Sequence, residues 1–373
     1  MTRTRLAYFP RYDMNPYQAV FYRDLEDQGI EVVGGALFNV RWLWQHRRET
    51  DVLHFHWPQG FYRVGKPPRS LTKHLSFLKF SQFMLRLAAA RVLGYRLVWT
   101  IHQVHPHEIL HRVLDRVVPL VMSRASHVLI AHDEPTAVLA CRHLHLSREA
   151  VHVVPHPSYA GVYGVAKPRA VVRSELDLAE TSTVFLYFGS LRAYKNVEVL
   201  LDAFAGVAAE HIALIVAGRP HAGHADDRRV AATVRAAAAA DPRIKARLEF
   251  IPPAEVPDLF AAADVAVLPR SDGGTSGAIV LALDMGVPVI AGGLPANAAI
   301  TQGETTGWLF LPGDRASLQQ CLAVAAADKD TLHEKRAGVR RVRATLGWSL
   351  EEREQTARVI RGDQSPRAVP SHT

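Results

Sequence analysis

Two stretches of this chain gather cations, glycines and hydroxyls where a phosphate ester could be held. Gly189-Ser190-Leu191-Arg192-Ala193-Tyr194-Lys195-Asn196 follows the apolar run Val184 to Phe188 and leads into the apolar-periodic stretch Val197 to Phe204. A strand, a glycine and two cations at a helix entry make a diphosphate site. Gly189 lets backbone approach the ligand, and Arg192 and Lys195 offset the charge that grows on a departing diphosphate. The second stretch runs Leu268-Pro269-Arg270-Ser271-Asp272-Gly273-Gly274-Thr275-Ser276-Gly277, before the helical stretch Ala278 to Met285. Small residues ahead of a helix form a nest of N–H groups for an anion, helped by the helix dipole and the hydroxyls of Thr275 and Ser276. Gly218 and Arg270 each follow a strand, at the corresponding places, and join Gly189, Arg192, Lys195, Thr275, Ser276 and Gly277 as the donor-binding set.

The other concentration of chemistry is His102-Gln103-Val104-His105-Pro106-His107-Glu108, after the strand Leu97 to Ile101. Zinc is one reading of three histidines and a carboxylate, but the order lacks a helical His-Glu-x-x-His spacing and a cysteine partner, so no metal is expected. Glu108 also suits the first turn of a helix over Ile109 to Val118. In Val52-Leu53-His54-Phe55-His56, alternation puts both histidines on one face, with His56 nearer the strand end. His56 is read as an acceptor contact or as a hydrogen-bonded structural histidine. Asn15 is read as an acceptor contact or as a cap before Pro16.

These residues need strands to carry them. Arg5 to Phe9, Ile30 to Val33, Val52 to His56, Leu97 to Ile101 and Val128 to Ala131 read as buried strands separated by helices. The alternation resumes with Val184 to Phe188, Ala213 to Ala217, Leu248 to Ile251, Val265 to Leu268 and Pro288 to Ile290, with a helix over Val230 to Ala240. Strand-helix alternation implies parallel sheets, whose ligands sit at the carboxyl ends of strands. The expected architecture is α/β: two Rossmann-like, doubly wound domains facing across a cleft. Their expected limits are residues 1–165, residues 166–350, and a C-terminal helix with a frayed tail over 351–373.

Composition narrows the class. The 373 residues suit two domains, and 48% hydrophobic with 21% charged residues is globular composition without a span of roughly 20 apolar residues. The N-terminus lacks a signal-peptide pattern, and the two cysteines, Cys141 and Cys321, suggest no disulfide framework, so a cytoplasmic location is expected. A net charge of +8 favours anionic partners. No Walker motif, no Gly-x-Gly-x-x-Gly and no nucleic-acid recognition pattern is present, so NTPases, nicotinamide dehydrogenases and nucleic-acid binding are not expected.

The segment Arg69 to Arg91 has helical spacing with two apolar groups. Leu71, Leu75, Leu78 and Leu85 gather on one side, and Phe77, Phe80, Met84 and Leu87 near the other. One face can pack on a sheet. The aromatic one, interleaved with Lys73, Lys79, Arg86 and Arg91, suits an anionic membrane surface or else packs while its cations reach outward. Any membrane contact would be peripheral, on the inner face.

Phe188 to Lys195, Ala263 to Pro269, Thr275-Ser276-Gly277, Gly286 to Ala291, and Gly307-Trp308-Leu309-Phe310 with Pro312-Gly313-Asp314 together resemble the GT-B glycosyltransferases. The likeness is to the bacterial retaining-type, family 4-like nucleotide-sugar enzymes, and a weaker likeness continues through Asn15-Pro16-Tyr17, His56-Trp57-Pro58 and Trp99 to His102. The resemblance implies a donor bound by the C-terminal domain, an acceptor bound by the N-terminal one, and no metal or other cofactor. It also implies that His102 contacts the transferred sugar. Glu108 or a second histidine, such as His105, would then position or deprotonate the acceptor hydroxyl. Two glutamates of many retaining members fall on Gly273 and Leu281; Asp272 and Asp284 lie nearby only in a shifted alignment, so retention and inversion both stay open. The expected reaction moves a sugar from a UDP- or GDP-type donor to an acceptor hydroxyl, small or lipid-linked, in glycolipid, polysaccharide or glycosylated-metabolite synthesis. A non-catalytic nucleotide-sugar or lipid-headgroup binder, or a sugar-nucleotide epimerase, are the alternatives.

Overall fold

The computed structural model describes residues 3–12, 15–64, 69–104, 111–209, 211–221 and 225–363. Two compact units divide the chain: residues 1–157 with 347–373, and residues 158–346.

The first unit is a six-stranded parallel sheet of β1 (Thr4–Phe9), β2 (Ile30–Val32), β3 (Val52–Phe55), β4 (Arg96–Thr100), β5 (Val128–Ala131) and β6 (Val151–Val153), in the order β2-β1-β3-β4-β5-β6. Its helices are α1 (Tyr17–Glu26), α2 (Val40–His46), α3 (Arg69–Val92), α4 (Arg112–Ala125) and α5 (Glu134–Leu144). The strands are apolar because helices cover a parallel sheet; Leu53, Phe55, Leu97, Trp99 and Leu129 share one core with Phe83, Leu87 and Met122 of α3 and α4.

The second unit repeats the plan with β7 (Thr183–Phe188), β8 (Ile212–Ala217), β9 (Ile244–Arg247), β10 (Val265–Leu268), β11 (Val289–Gly292) and β12 (Gly307–Phe310), ordered β12-β11-β10-β7-β8-β9. Its helices are α6 (Arg169–Glu175), α7 (Val197–Ala205), α8 (Ala225–Ala240), α9 (Val256–Ala262), α10 (Gly277–Asp284), α11 (Pro295–Ile300), α12 (Arg315–Ala327) and α13 (Lys329–Arg343). Chain direction through this sheet reverses between β7 and β10, which makes their carboxyl ends the switch point where such sheets hold ligands. In the first unit the corresponding reversal lies between β1 and β3.

Three expectations change. The first unit ends at Pro157 and not at 165, because Ser158 and Tyr159 are tied into the second unit: the Ser158 hydroxyl and the Tyr159 N–H donate to Asp284 at 2.8 and 2.6 Å. The last helix, α14 (Leu350–Arg361), belongs to the first unit, where Arg353 meets Asp24 of α1 and Thr356 meets His152. The ninth strand is Ile244–Arg247, earlier than the expected Leu248 to Ile251. An edge strand needs few apolar residues, so Ile-Lys-Ala-Arg qualifies while Leu248 and Ile251 lie in the loop beyond.

The two sides of α3 also exchange roles. Phe83, Leu87 and Ala90 are buried, Phe80 and Met84 pack against them, and Phe83 stacks on Phe61 with centroids 5.1 Å apart. Leu78 and Leu85, from the side expected to pack, are exposed. The side carrying Phe83 buries more ring surface, and helical spacing alone ranks two opposed stripes equally.

Candidate functional site

In the second unit the ends of β7, β8 and β10 meet. Gly189 and Gly218 have φ of +138° and +148°, and a side chain on Gly218 would run into the backbone of Gly189. Only glycine permits this approach, which brings two loops together beside the switch point. Beyond Gly189, Asn196 takes a left-handed conformation with φ of +56°, and its side-chain amide donates to the Pro269 carbonyl at 3.3 Å and to the Ser271 hydroxyl at 2.9 Å. Asn196 thus staples the cationic loop to the one that enters α10.

Three cations surround Tyr194 or its neighbour. The guanidinium carbons of Arg192 and Arg270 lie 5.7 and 5.9 Å from the Tyr194 ring, and Lys195 donates to the Ser190 hydroxyl at 3.1 Å. Burial, then Arg270, then Arg192, push the Lys195 ammonium down to about 8. Among the described residues no carboxylate pairs with Lys195 or Arg270, whereas Arg192 sits 3.0 Å from the buried Asp227. Arg192 is therefore partly neutralised before any ligand arrives. Asp227 also accepts from Ala193 N–H at 2.9 Å and contacts His221 at 3.0 Å, fixing the loop from the first turn of α8.

At α10, Ser276 is the N-terminal boundary residue, yet its side chain makes no cap hydrogen bond, so Gly277 and the residues after it begin the helix with N–H groups that the hydroxyl does not consume. Thr275 stands beside it, half-buried. Gly189, Arg192, Lys195, Gly218 and Arg270 are thus on linked loops with the entry to Thr275, Ser276 and Gly277. Of the two alternative carboxylates, Asp284 is consumed by Ser158 and Tyr159, and Asp272 is exposed. Gly273 lies in the loop and Leu281 is buried in α10.

In the first unit, histidines line the strand ends. Register pairs Tyr8 with His54 and His54 with Val98, which puts His54, His56, Thr100 and His102 on one face beneath α1. His54 Nε2 is 2.8 Å from the Thr100 hydroxyl, the Tyr22 hydroxyl is 2.8 Å from His54 Nδ1 and 2.7 Å from His56 Nε2, and His56 Nδ1 is 3.2 Å from His102 Nε2. Trp57 stacks on the half-buried His102 at 4.5 Å. Alongside, His132 Nδ1 donates to the Val154 carbonyl at 3.1 Å, so its Nε2 accepts from the Tyr17 hydroxyl at 2.7 Å. Burial holds His54 and His156 down to about 3 and His132 to about 4, and keeps His56 and His102 well below the ordinary range. All are neutral imidazoles at neutral pH.

His102 is the member of this group whose position leaves a ring nitrogen, Nδ1, clear of the internal bonds. His56 is corrected: it is 1% exposed and both nitrogens are engaged, so it stands behind His102 and is no direct acceptor contact. Asn15 accepts from Tyr17 N–H at 3.0 Å just ahead of α1, whose N-terminal boundary residue is Pro16. Glu108 and His105 lie outside the described residues, as does the expected start of the helix that becomes α4; there His111 accepts from Leu114 N–H. A cavity lined by His102, Trp57, Gln59, Trp99, Gln103 and Asp115 adjoins the cluster. Asp115 in it is occupied by the Tyr62 hydroxyl at 2.7 Å and Arg63 at 2.9 Å.

Tyr22, Thr100, His132 and Asp227 were missed in the sequence. The strand pattern His54, His56 beside Thr100, His102 carried a signal, since one register aligns them. Asp227 carried none: an acidic residue in a helix's first turn has a sufficient local reason.

Residues 182–328 match the family described as glycosyl transferases group 1. A curated relative, the GDP-mannose:glycolipid 4-beta-D-mannosyltransferase of Xanthomonas campestris pv. campestris, is 28% identical over 305 residues, covering 81% of this chain and 76% of its own. Among solved structures, Anabaena HepE in complex with UDP superposes with a TM-score of 0.72 at 16% identity, over 97% of this chain and 100% of that one. Sucrose-phosphate synthase of Thermosynechococcus elongatus gives 0.71 at 15% identity, over 96% and 99%. These two likenesses establish the fold.

Proposed function

Because the chain is a glycosyltransferase of the GT-B fold that uses a nucleotide-sugar donor, we propose that its donor is GDP-mannose and its acceptor a lipid-linked saccharide. The observation that carries the donor site is the grouping of Lys195 and Arg270, without carboxylate partners among the described residues, beside Arg192 and the opening of α10. A pyrophosphate is the ligand that such a surplus of charge and N–H groups accommodates. The base and sugar are taken from the relative whose name gives GDP-mannose and a glycolipid.

The same relative is named for a β-D-mannosyl product. Sugar nucleotides of mannose carry an α bond, so a β product requires inversion at C1. The acceptor oxygen attacks as the C1–oxygen bond to the diphosphate breaks, and the acceptor's proton passes to a base. Inversion suits a chain with Gly273 and Leu281 where retaining relatives hold carboxylates. Lys195 and Arg270 take up the leaving-group charge that a metal would otherwise balance, so the reaction proceeds without one. Glu108 is the candidate base and His102 the sugar contact.

A lipid-linked acceptor calls for a surface near headgroups, and the inner face of the membrane is the proposed place. Leu78 and Leu85 on α3 are exposed among Lys79, Arg86 and Arg91. Trp44 on the neighbouring α2 is also exposed, with Arg47 over its ring at 4.0 Å. Exposed aromatic and aliphatic groups with interleaved cations suit an anionic bilayer. No helix among the described residues is long and apolar enough to cross it.

Purified chain incubated with labelled GDP-mannose, a lipid-linked saccharide and EDTA tests the proposal. Label entering the lipid fraction from GDP-mannose and not from UDP-glucose is expected. Transfer from UDP-glucose alone would refute the assigned donor, and transfer only to water-soluble acceptors would refute the assigned acceptor.

A further inference from the structure

We propose that Thr100, His54, Tyr22, His56 and His102 form a hydrogen-bond chain with a single proton order, which holds His102 as a neutral imidazole presenting its Nδ1–H outward as a donor to a sugar oxygen. The proposal rests on the reading that His102 meets the bound sugar, and it assigns the chemistry of that contact.

The order follows from counting hydrogens. A neutral imidazole carries one N–H and one bare nitrogen, and a tyrosine hydroxyl has one hydrogen. Tyr22 is buried and its hydroxyl touches two imidazole nitrogens and no other acceptor among the described residues, so it donates to one and accepts from the other; accepting from both would leave its own hydrogen unpaired. Only two orders of the whole chain are then consistent, running in opposite directions.

In the first, Thr100 donates to His54 Nε2, His54 Nδ1–H to Tyr22, Tyr22 to His56 Nε2, and His56 Nδ1–H to His102 Nε2. That leaves the proton of His102 on Nδ1. In the second, every bond reverses, His102 Nε2–H donates to His56, and Nδ1 is bare. The two orders differ at the head of the chain. Thr100 is fully buried, and its hydroxyl has one partner among the described residues, His54 Nε2. In the second order His54 donates to Thr100, and the threonine proton is left buried without an acceptor. A buried donor left unmade is the more costly fault, so the first order is selected.

At the other end, His102 Nδ1 has no partner among the described residues, and stacking on Trp57 with edge contact from Tyr17 at 4.9 Å fixes the ring plane. Either order leaves that nitrogen to a ligand or to water, so the buried end decides which kind of hydrogen bond it offers. His102 then binds a sugar hydroxyl or ring oxygen as a donor and cannot take the acceptor's proton, which leaves that task to another group. Tyr22, His54, His56 and Thr100 are positioning residues.

Long-range proton–nitrogen NMR of the full chain with labelled histidine tests this, with His102 identified by its loss in His102→Gln. A protonated Nδ1 and a bare Nε2 at His102 are expected in the free protein. Tyr22→Phe keeps the ring stacked on Tyr8 at 4.2 Å but removes the link; Thr100→Val removes the head donor, and Thr100→Ser restores it. In the Phe and Val variants, His102 should shift toward the Nε2–H form. Their kcat should fall roughly tenfold with donor KM unchanged, since the lost interaction belongs to the reacting complex. The Ser variant should retain the wild-type tautomer. A bare Nδ1 in the wild type, or a tautomer indifferent to both Tyr22→Phe and Thr100→Val, would overturn the proposal. The spectra need neither donor nor acceptor, so a chain with the expected tautomer but no mannosyl transfer would sink the functional reading alone.

Discussion

The backbone of Gly189 fills the space that a side chain on Gly218 would occupy. This contact between the ends of β7 and β8 lets the loop carrying Arg192 and Lys195 lie beside the switch point, and it cannot relax by rotating a side chain. Gly218→Ala is expected to cost roughly 3 kcal/mol, from a left-handed φ and an overpacked backbone together. Denaturant midpoints should fall accordingly. At Gly189 an added Cβ would meet only the movable Lys195 ammonium, at 3.2 Å. Its φ of +138° still strains any side chain, so Gly189→Ala should lose stability, though less than Gly218→Ala, and should also lose nucleotide affinity, read by calorimetric titration beside the denaturant midpoints.

Lys195 provides a pH test. Its ammonium is held down to about 8 by burial and by Arg270 and Arg192. A bound diphosphate favours the charged form and raises that value, so binding at pH 8 should take up protons and weaken as pH rises above 8. The sign for folding is opposite: the folded value lies below the unfolded one, so this lysine destabilises the free protein most below pH 8, and the penalty fades between about 8 and its unfolded value of about 10.4. Lys195→Met should leave the free protein as stable or more so at pH 7 while removing proton uptake. Titrations in buffers of different ionisation enthalpy measure that uptake, and equal heats at pH 8 would count against the site.

Asp264 anchors the second unit. It meets Arg169 at 2.5 Å, the fully buried Arg173 at 2.7 Å, Arg336, and the Val184 N–H at 2.8 Å. Burial alone would raise its carboxyl, but the Val184 hydrogen bond and the three guanidinium groups bring it below the usual range. Its stabilisation is therefore complete above the unfolded value of about 3.9 and is lost as pH falls through the lower folded value. Asp264→Asn removes the counter-charge of the buried Arg173, which keeps its bonds to the carbonyls of Ala262, Ala179, Glu180 and Ser182, and should cost about 3 kcal/mol at pH 7, with a much smaller difference from wild type in acid. Urea midpoints at the two pH values decide it.

The exposed apolar side chains of α2 and α3 predict membrane binding. The wild type should sediment with phosphatidylglycerol vesicles and far less with phosphatidylcholine. Leu78→Glu and Leu85→Glu should each weaken that binding roughly tenfold, with unchanged circular dichroism. Equal sedimentation of the variants would exclude this face.

Much of this was legible in the sequence, for reasons that differ by element. The buried strands read as apolar runs, and the phosphate-type loops read as small and cationic residues between a strand and a helix. What escaped depends on distance in sequence. Whether α3 buries Phe83 or Leu85 is decided by Phe61, the return of α14 by Asp24 and His152, and the commitment of Arg192 by Asp227. The edge strand Ile244–Arg247 escaped because an edge tolerates polar residues. His54 and His56 were visible as a pair, but their link through Tyr22 to His102 required the register of three strands.

A crystal structure with bound GDP tests the central claim most directly. The pyrophosphate should lie within about 3 Å of Lys195 Nζ and of the first N–H groups of α10, with Arg270 turned toward it. A diphosphate bound elsewhere on the chain, with Lys195 still on Ser190, would contradict the account.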